Sequence, residues 1–202
     1  MTRKVDDIHK TDMAISQSRE RLKISGIGQD NIDFIERFVV SCRLEGLSKQ
    51  SILWYIDYST WFAQRLKEIG FNDTLDKLSQ DDFNRLLLYL EDDKGLSQGT
   101  LRNYKKLVKK LYGWAYDGEP PRWIKEIKLK AIDTPVQPSD LLTRAEFDKL
   151  MGACRHPRDK ALIAVLADSG MRIGAMASCR IKHVEFNQYG AILYMSKTGQ
   201  TN

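Results

Sequence analysis

The chain has few of the residues that build disulfide frameworks or metal sites, with three cysteines and three histidines among 202 residues. Cys42, Cys154 and Cys179 lie far apart without any C-x-x-C spacing, and the histidines show no metal-ligand spacing either. We therefore expect reduced thiols and no metal site. No apolar run approaches the roughly 18 residues of a membrane helix, and the charged N-terminus has no apolar signal core. These absences together predict a cytoplasmic protein that is not bound to a membrane.

What the composition does contain is typical of a globular protein, with 42% hydrophobic and 29% charged residues. The net charge of +5 fits a polyanionic partner without requiring one, because many basic proteins bind no nucleic acid. The distribution of charge along the chain is therefore more informative than its total.

Proline is also scarce, and all but one of the five prolines lie within residues 117–140. Such a cluster predicts a linker, which we place at 118–140 and which is semi-rigid where the prolines cluster. It separates a helical domain at 31–117 from a second unit at 141–202.

The two flanks of the helical domain differ in character. Residues 1–30 are polar, mix both signs of charge and contain few large apolar side chains. We expect them to form a flexible arm, with room for a short helix near 16–23. After the domain, Trp123 and Ile124 are expected to pack back on the bundle.

Four helical stretches make up the domain at 31–117, since apolar residues recur there at helical spacing. The tripeptide Gly-Leu-Ser precedes the second and fourth helices, at 46–48 and 95–97, and its serine is a good N-cap. Four helices with short connections predict a compact bundle. Four aromatic residues of the second helix are expected in the core rather than as base-stacking platforms: Trp54, Tyr55, Tyr58 and Trp61.

The second unit combines helices with a short hairpin. It opens with Thr143 and Glu146, the pair of a capping box, and continues through helical runs. Two β-like runs follow, separated by turn residues at 187–190. The predicted fold class is therefore mainly α, with an N-terminal four-helix bundle, a linker, and a mixed α/β unit that contains a small β-hairpin.

The fourth helix has no acidic residue between Leu96 and Tyr116, although the rest of the bundle is rich in acids. Its basic residues fall on one face at spacings of three and four: Arg102, Lys105, Lys106 and Lys109. An acid-free basic stripe suits a phosphate backbone. A solvated lysine face is the usual alternative. Basic amphipathic helices also bind membrane surfaces and calmodulin-like grooves. The expectation that the apolar side of this helix faces the bundle core argues against both partners.

The run from Asp168 to Met176 is the most informative motif in the chain. An apolar helix leads into it, Gly170 breaks that helix, and Arg172 emerges before a second helical stretch. Arginine's planar fork matches two phosphate oxygens at once and keeps its charge. This turn is therefore a candidate phosphate-binding site. The alternative is an ordinary helix–turn–helix corner whose arginine is only solvated. Lys197 lies at a second turn, where a lysine is usually only solvated. Such a side chain is also mobile enough to reach a scissile phosphodiester and protonate a leaving 5′-hydroxyl.

The order of these parts resembles the tyrosine recombinases, the family of phage-type integrases, over about residues 31–202. The bundle resembles their N-terminal core-binding domain, a SAM-like fold, and Asp168–Ile173 matches the motif of the first catalytic arginine. The segments at 142–146, 158–162 and 196–199 resemble the opening, the R-D-x-A-L run and the lysine hairpin of a catalytic domain. The second unit would thus be a partial catalytic domain.

The resemblance implies a role for each candidate residue. Arg172 would hold the scissile phosphate and Lys197 would act as general acid, without metal or nucleotide cofactor. The family lays its second and fourth bundle helices against double-stranded DNA and self-associates there, so the expected DNA-binding residues follow: Lys49, Arg102, Lys105, Lys106 and Lys109.

The chain also departs from the family pattern. Ala175 stands where a glutamate is usual, and Ile181 and His183 stand where a W-x-D pattern is common. The family's H-x-x-R motif and tyrosine nucleophile lie beyond the lysine hairpin, where this chain ends. Tyr189 and Tyr194 lie in the hairpin, so we expect the 202 residues alone to be inactive.

The function predicted from the sequence is that of a DNA-binding protein of site-specific recombination and integration. Two alternatives stay open: a non-catalytic regulator that occupies recombination sites, and a helical protein-interaction module in which the basic stripe is incidental.

Overall fold

The computed structural model describes residues 10–131 and 137–194. The chain divides into two compact units, with the boundary between Asp133 and Thr134. This boundary lies inside the segment for which the sequence predicts a linker.

The first unit is built from helices that are joined by short connections. Its helices are α1 (Thr11–Lys23), α2 (Gln29–Leu44), α3 (Lys49–Glu68), α4 (Gln80–Leu88), α5 (Gln98–Ala115) and the single turn α6 (Arg122–Lys125). A 3-10 turn, Leu75–Lys77, precedes α4, and a π-helical turn, Tyr89–Asp93, extends it.

Serine side chains begin α3 and α5, as the repeated Gly-Leu-Ser tripeptide predicts. The hydroxyl oxygen of Ser48 accepts the N–H of Ser51 at 3.2 Å, and that of Ser97 accepts the N–H of Thr100 at 3.3 Å. Each cap satisfies a backbone donor that has no partner within the helix. Gly46 precedes the first cap with a φ of +79°, which glycine adopts without strain.

Buried aromatic and aliphatic side chains form one continuous core in the first unit. Phe38 of α2 is fully buried, with its ring centroid 5.3 Å from that of Tyr55 and 5.6 Å from that of Trp114. The buried Tyr112 donates its hydroxyl to the carbonyl of Leu75, which joins α5 to the 3-10 turn. A buried hydroxyl needs such a partner, because leaving it unpaired costs about 1–3 kcal/mol.

Residues 10–30 differ from the flexible arm that the sequence predicts for 1–30, although the short helix expected near 16–23 lies within α1. Helix α1 packs along α3, Leu22 and Ser18 are buried, and Arg21 forms an ion pair with Asp57 of α3 at 2.9 Å. The physical reason is that small polar side chains such as Ser18 allow close helix contact. A segment with few large apolar residues can therefore still pack against a neighbouring helix.

The first half of the predicted linker also differs, because it is part of the first unit. Ile124 in α6 is 1% exposed, as the sequence predicts, and the ring centroid of Trp123 lies 5.7 Å from that of Phe83. Pro121 acts as the N-cap residue of α6. The two apolar anchors thus fix a segment whose prolines alone indicate a linker.

Within residues 137–194, the second unit contains three α-helices, two 3-10 turns and a two-stranded antiparallel hairpin. The α-helices and strands are α7 (Arg144–Ala153), α8 (Pro157–Ser169), α9 (Ile173–Ala177), β1 (Val184–Asn187) and β2 (Gly190–Leu193). The hairpin pairs Val184 with Leu193 and Asn187 with Gly190. The predicted fold class, mainly α with an N-terminal helical bundle and a small β-hairpin, is confirmed.

The two units differ in how far their side chains are buried. None of residues 137–194 is buried, whereas the first unit has a continuous core. Large apolar side chains are exposed in the second unit: Leu141, Leu142, Ile173, Ile181 and Phe186. The local structure of this unit is therefore set by caps and turns rather than by a core.

Candidate nucleic-acid interface

Helix α5 carries its basic residues on two flanks rather than on one free face. Arg102 and Lys109 donate hydrogen bonds to the backbone of the segment 122–130. Lys106 instead lies beside α3, over the ring of Trp54. The single stripe predicted from helical spacing thus divides between two neighbouring elements.

Lys109 binds protein rather than solvent. Its ammonium donates to the carbonyl oxygens of Ile124, Lys125 and Ile127 at 3.4, 3.0 and 3.1 Å. These carbonyls lie at the end of α6, where a helix has acceptors without intrahelical partners, and a lysine satisfies them well. A DNA phosphate would have to compete with three carbonyls for Lys109.

Arg102 is held from one side only. Its Nε donates to the carbonyl of Lys130 at 3.0 Å. Within residues 10–131 and 137–194, its two terminal guanidinium nitrogens have no hydrogen-bond partner. The bond through Nε therefore orients a fork that retains its donors for an anion.

Lys106 is the exposed cation of the α5–α3 flank. Its Nζ lies 5.2 Å from the centroid of the Trp54 ring, within cation–π range. Trp54 stacks on Tyr58 with centroids 4.3 Å apart, and the Tyr58 hydroxyl accepts from Asn103 Nδ2 at 3.0 Å. Among the described residues no carboxylate pairs with Lys106, so its charge is available to a phosphate.

The aromatic residues of α3 lie largely where the sequence predicts them. Tyr55 is buried, and Trp54 and Tyr58 are half-buried and pack against the core. The prediction is wrong for Trp61, which is 46% exposed. Trp61 lies edge-on to Tyr58 at the end of the aromatic row, with centroids 5.2 Å apart, where the bundle no longer covers it.

Two further lysines near this flank pair with carboxylates. Lys49 forms an ion pair with Asp12 of α1 at 2.6 Å, and both side chains are well exposed. Exposed pairs contribute little stability, so a phosphate could replace Asp12 at small cost. Lys110 binds Glu45, and the hydrogen bond from that pairing raises the pKa of Lys110.

Lys105 lies on the opposite flank, in a groove that Arg102 also lines together with Lys128 and Lys130. Lys105 is half-buried, and in the described part of the chain its ammonium has neither a hydrogen bond nor an ion pair. The structure thus brings two of the predicted DNA-binding residues into one groove, while Lys106 and Lys49 lie outside it.

Negative charge collects elsewhere on the first unit. A shallow cavity near the start of α2 is lined by four carboxylates: Asp30, Asp33, Glu36 and Asp76. In the described part of the chain, Arg37 is the basic residue that lines it. The first unit therefore has an acidic surface as well as a basic one. Of the two, only the basic surface around α5 suits a polyanion.

In the second unit, the turn at Arg172 has the local geometry that the sequence predicts. Gly170 ends α8 with a φ of +61°, and its N–H donates to the carbonyl of Leu166 at 3.0 Å. The Ser169 hydroxyl accepts the N–H of Met171 at 3.3 Å. Arg172 then stands as the N-cap residue of α9, with its side chain exposed.

The surroundings of the catalytic candidates supply few partners. No described side chain binds the guanidinium of Arg172, and Ala175, at the position of the family's glutamate, has no group that could do so. Tyr194 donates its hydroxyl to Glu185 at 2.9 Å, and this hydrogen bond raises the pKa of Tyr194. Lys197 lies outside the described residues.

The described ranges contain no group of histidine, cysteine, aspartate or glutamate side chains that could hold a metal ion. Over the same residues, no helix is long and apolar enough to cross a membrane.

Two features of this surface escaped the sequence analysis. The partners of Lys109 and Arg102 are backbone carbonyls, which no side-chain pattern encodes. The partner of Lys49 is Asp12, in a segment predicted to be flexible. The signal for α1 was the recurrence of Ile15, Ser18 and Leu22 at spacings of three and four.

Comparison with known proteins gives one informative similarity. The chain is 26% identical to the tyrosine recombinase XerA of Pyrococcus horikoshii over 171 residues, which is 84% of this chain and 54% of the recombinase. The chain therefore spans about half the length of the curated relative that it matches. No family model matches the chain, and no solved structure matches it significantly. The similarity to XerA supports the tyrosine recombinase family and, at that level, a role in site-specific recombination.

Proposed function

We propose that this chain is a DNA-binding protein of site-specific recombination and that its first unit binds duplex DNA through α5. The observation that carries the proposal is the acid-free basic surface of that helix, on which Lys106 is exposed without a carboxylate partner among the described residues. The similarity to XerA also supports a role in site-specific recombination. Self-association on DNA remains a prediction.

Each basic side chain has a distinct part in this proposal. Lys106 and Lys105 contact phosphates directly, because neither is paired to a carboxylate in the described structure. Arg102 offers its terminal nitrogens, and Lys49 exchanges Asp12 for a phosphate. The sequence predicts that Lys109 binds DNA. We instead assign Lys109 to holding the segment 122–130. Phosphate contacts of this kind set affinity and register rather than sequence preference.

In the second unit, Arg172 is the residue that we propose to hold the scissile phosphate, with Lys197 as general acid. A phosphotyrosyl intermediate also needs a nucleophile. Tyr194 is a poor one, because its hydroxyl is bound to Glu185 and its pKa is raised. We therefore expect these 202 residues to bind recombination-site DNA without cutting it.

The binding experiment measures the affinity for a duplex at several salt concentrations. If four to six phosphates are neutralised, log K falls with log salt with a slope of roughly −4 to −5. Lys106→Gln should reduce the magnitude of that slope by about one. Lys77→Gln is the matched control, because Lys77 pairs with Asp73 beside the acidic surface. A slope near zero for the native chain would contradict the proposal and favour a protein-interaction module.

A second experiment separates a recombinase from a regulator that only occupies sites. A nicked suicide duplex traps covalent adducts of competent tyrosine recombinases. We expect no adduct from this chain. An adduct that maps to Tyr189 or Tyr194 would show that the chain cleaves DNA by itself.

A further inference from the structure

Helix α1 brings an acidic side chain to the start of α3. Asp12, in the first turn of α1, forms an ion pair with Lys49 at 2.6 Å. Lys49 is the first residue of α3, and that helix has no acidic residue in its own first turn. A lysine at the positive end of a helix dipole favours an anion beside it. In this chain α1 supplies that anion.

The C-terminal end of α1 is anchored on α3. Leu22 is fully buried, and Arg21 forms an ion pair with Asp57 of α3 at 2.9 Å. Just beyond α1, the carbonyl oxygen of Ser25 accepts a hydrogen bond from Nε2 of Gln64 at 3.2 Å. These contacts hold α1 along α3 whether or not the ion pair at its other end is formed.

The ion pair at the N-terminal end of α1 lies on the open surface, because the side chains of Asp12 and Lys49 are 72% and 60% exposed. Such a pair breaks at small cost, so a phosphate can displace the carboxylate from the ammonium group. The displaced carboxylate stays close by, since the anchored helix carries it. Two anions then lie beside one ammonium group, and their mutual repulsion weakens the binding of the phosphate.

We propose that Asp12 is autoinhibitory: it occupies Lys49 in the free chain and competes there with a phosphate of DNA. The inference rests on the proposed function for the identity of the competing anion. Its consequence is opposite to that of an ordinary lost contact, because removal of the Asp12 carboxylate should strengthen DNA binding.

The same helix offers a matched control. Glu20 of α1 forms an ion pair with Lys23 at 2.8 Å, and both side chains are exposed. Asp12→Asn and Glu20→Gln each remove one carboxylate from one lysine, so they change the net charge equally. They differ in the lysine that they release, because Lys49 belongs to the proposed DNA surface and Lys23 does not. Asp12→Glu, which keeps the carboxylate, is the conservative variant.

Duplex affinity is measured for these proteins at several salt concentrations. Asp12→Asn should bind about three- to fivefold more tightly than the native chain at low salt, because two charges about 5 Å apart in water repel by a corresponding energy. The magnitude of its salt slope should rise by about one, since one more lysine is free to neutralise a phosphate. Glu20→Gln and Asp12→Glu should stay within about twofold of the native chain.

Equal affinities of Asp12→Asn and the native chain would overturn the inference. Equal gains in Asp12→Asn and Glu20→Gln would also overturn it, because they would reflect net charge alone. A further comparison replaces Lys49 with glutamine. In Lys49→Gln, the loss of the Asp12 carboxylate releases no lysine, so the salt slope should not change. The same rise in slope with and without Lys49 would show that Asp12 does not act through it.

Amine acylation of the free chain tests the contact without DNA. Lys49 should react about twofold faster in Asp12→Asn than in the native chain, because its ammonium group is no longer held by a carboxylate. Glu20→Gln should leave the reaction of Lys49 unchanged. Equal reaction of Lys49 in all three proteins, together with normal duplex binding, overturns the inference and leaves the proposed function standing. If none of the proteins binds duplex DNA, the proposed function fails and the competition with DNA fails with it.

Discussion

The two units of this chain differ in what holds them together. In the first unit, helices α1 to α6 share a continuous core in which Phe38, Ile56 and Leu107 are fully buried. In the second unit, residues 137–194 include no buried side chain, and Ile181 is 95% exposed. One region is specified by packing and the other by local hydrogen bonds at caps and turns.

This difference separates two kinds of functional residue. The basic side chains around α5 are positioned by a packed scaffold, so their geometry belongs to the first unit alone. Arg172 is positioned by the turn between α8 and α9, whose apolar side chains are uncovered in this chain. We therefore expect DNA affinity to depend on the packed first unit, and the position of Arg172 to depend on the local hydrogen bonds of its turn.

Matched phenylalanine substitutions give the largest expected contrast between the units. Phe38→Ala should lower the free energy of unfolding by about 3–5 kcal/mol, because it removes a fully buried ring from the core. Phe186→Ala, at 83% exposed, should change it by less than about 0.5 kcal/mol. Urea unfolding monitored by far-ultraviolet circular dichroism measures both. A large effect of Phe186→Ala would mean that the second unit has a core of its own.

A smaller effect is expected at the edge of the packed unit, where Lys109 holds the segment 122–130. Lys109→Gln should destabilise the first unit by about 1–2 kcal/mol, because three carbonyls lose a charged donor. Lys105→Gln, four residues earlier on the same helix, should have an effect within about 0.5 kcal/mol. If the two variants unfold at the same urea concentration, Lys109 has no structural role and returns to the set of DNA contacts.

The smallest expected effect concerns acid stability. Hydrogen bonds from Arg65 and then Tyr89 lower the pKa of Glu68 from 4.5 to about 2. Because the folded pKa is depressed, the stability that Glu68 contributes is present above about pH 4.5 and is lost as the pH falls towards 2. The side chain is partly exposed, so the contribution is below about 1 kcal/mol.

The variant Glu68→Gln isolates this contribution from that of other carboxylates. Its melting temperature should fall less than that of the native chain when the pH is lowered from about 5 to about 3. Parallel curves for the two proteins would show that the hydrogen bonds of Glu68 do not stabilise the fold.

The fold could be predicted from the sequence wherever apolar spacing and capping residues agree. Helices α2 to α5 follow from that agreement, and so does the glycine that ends α8. Helix α1 was predicted only in part, as a short helix near 16–23, because Ser18 and Leu22 pack without a run of large apolar neighbours. The attachment of the segment 122–130 was only partly predictable. Ile124 indicates it, but the carbonyl partners of Lys109 arise from tertiary packing alone.

The basic surface was predictable as a set of residues but not as an arrangement. Helical spacing places Arg102, Lys105, Lys106 and Lys109 on one side of α5. Which of them faces a groove, an aromatic ring or a backbone carbonyl depends on the elements packed beside the helix, and these are distant in sequence. A charge pattern therefore predicts that a helix binds an anion better than it predicts which side chain does so.

Lysine labelling tests the central claim most directly. The native chain is treated with an amine-acylating reagent with and without duplex DNA, and the modified lysines are identified by mass spectrometry. We predict that DNA protects Lys105 and Lys106, while Lys23 and Lys77, which are exposed and paired on other surfaces, react equally in both samples. Protection that is confined to lysines of the second unit, or that is uniform over the chain, would contradict the account.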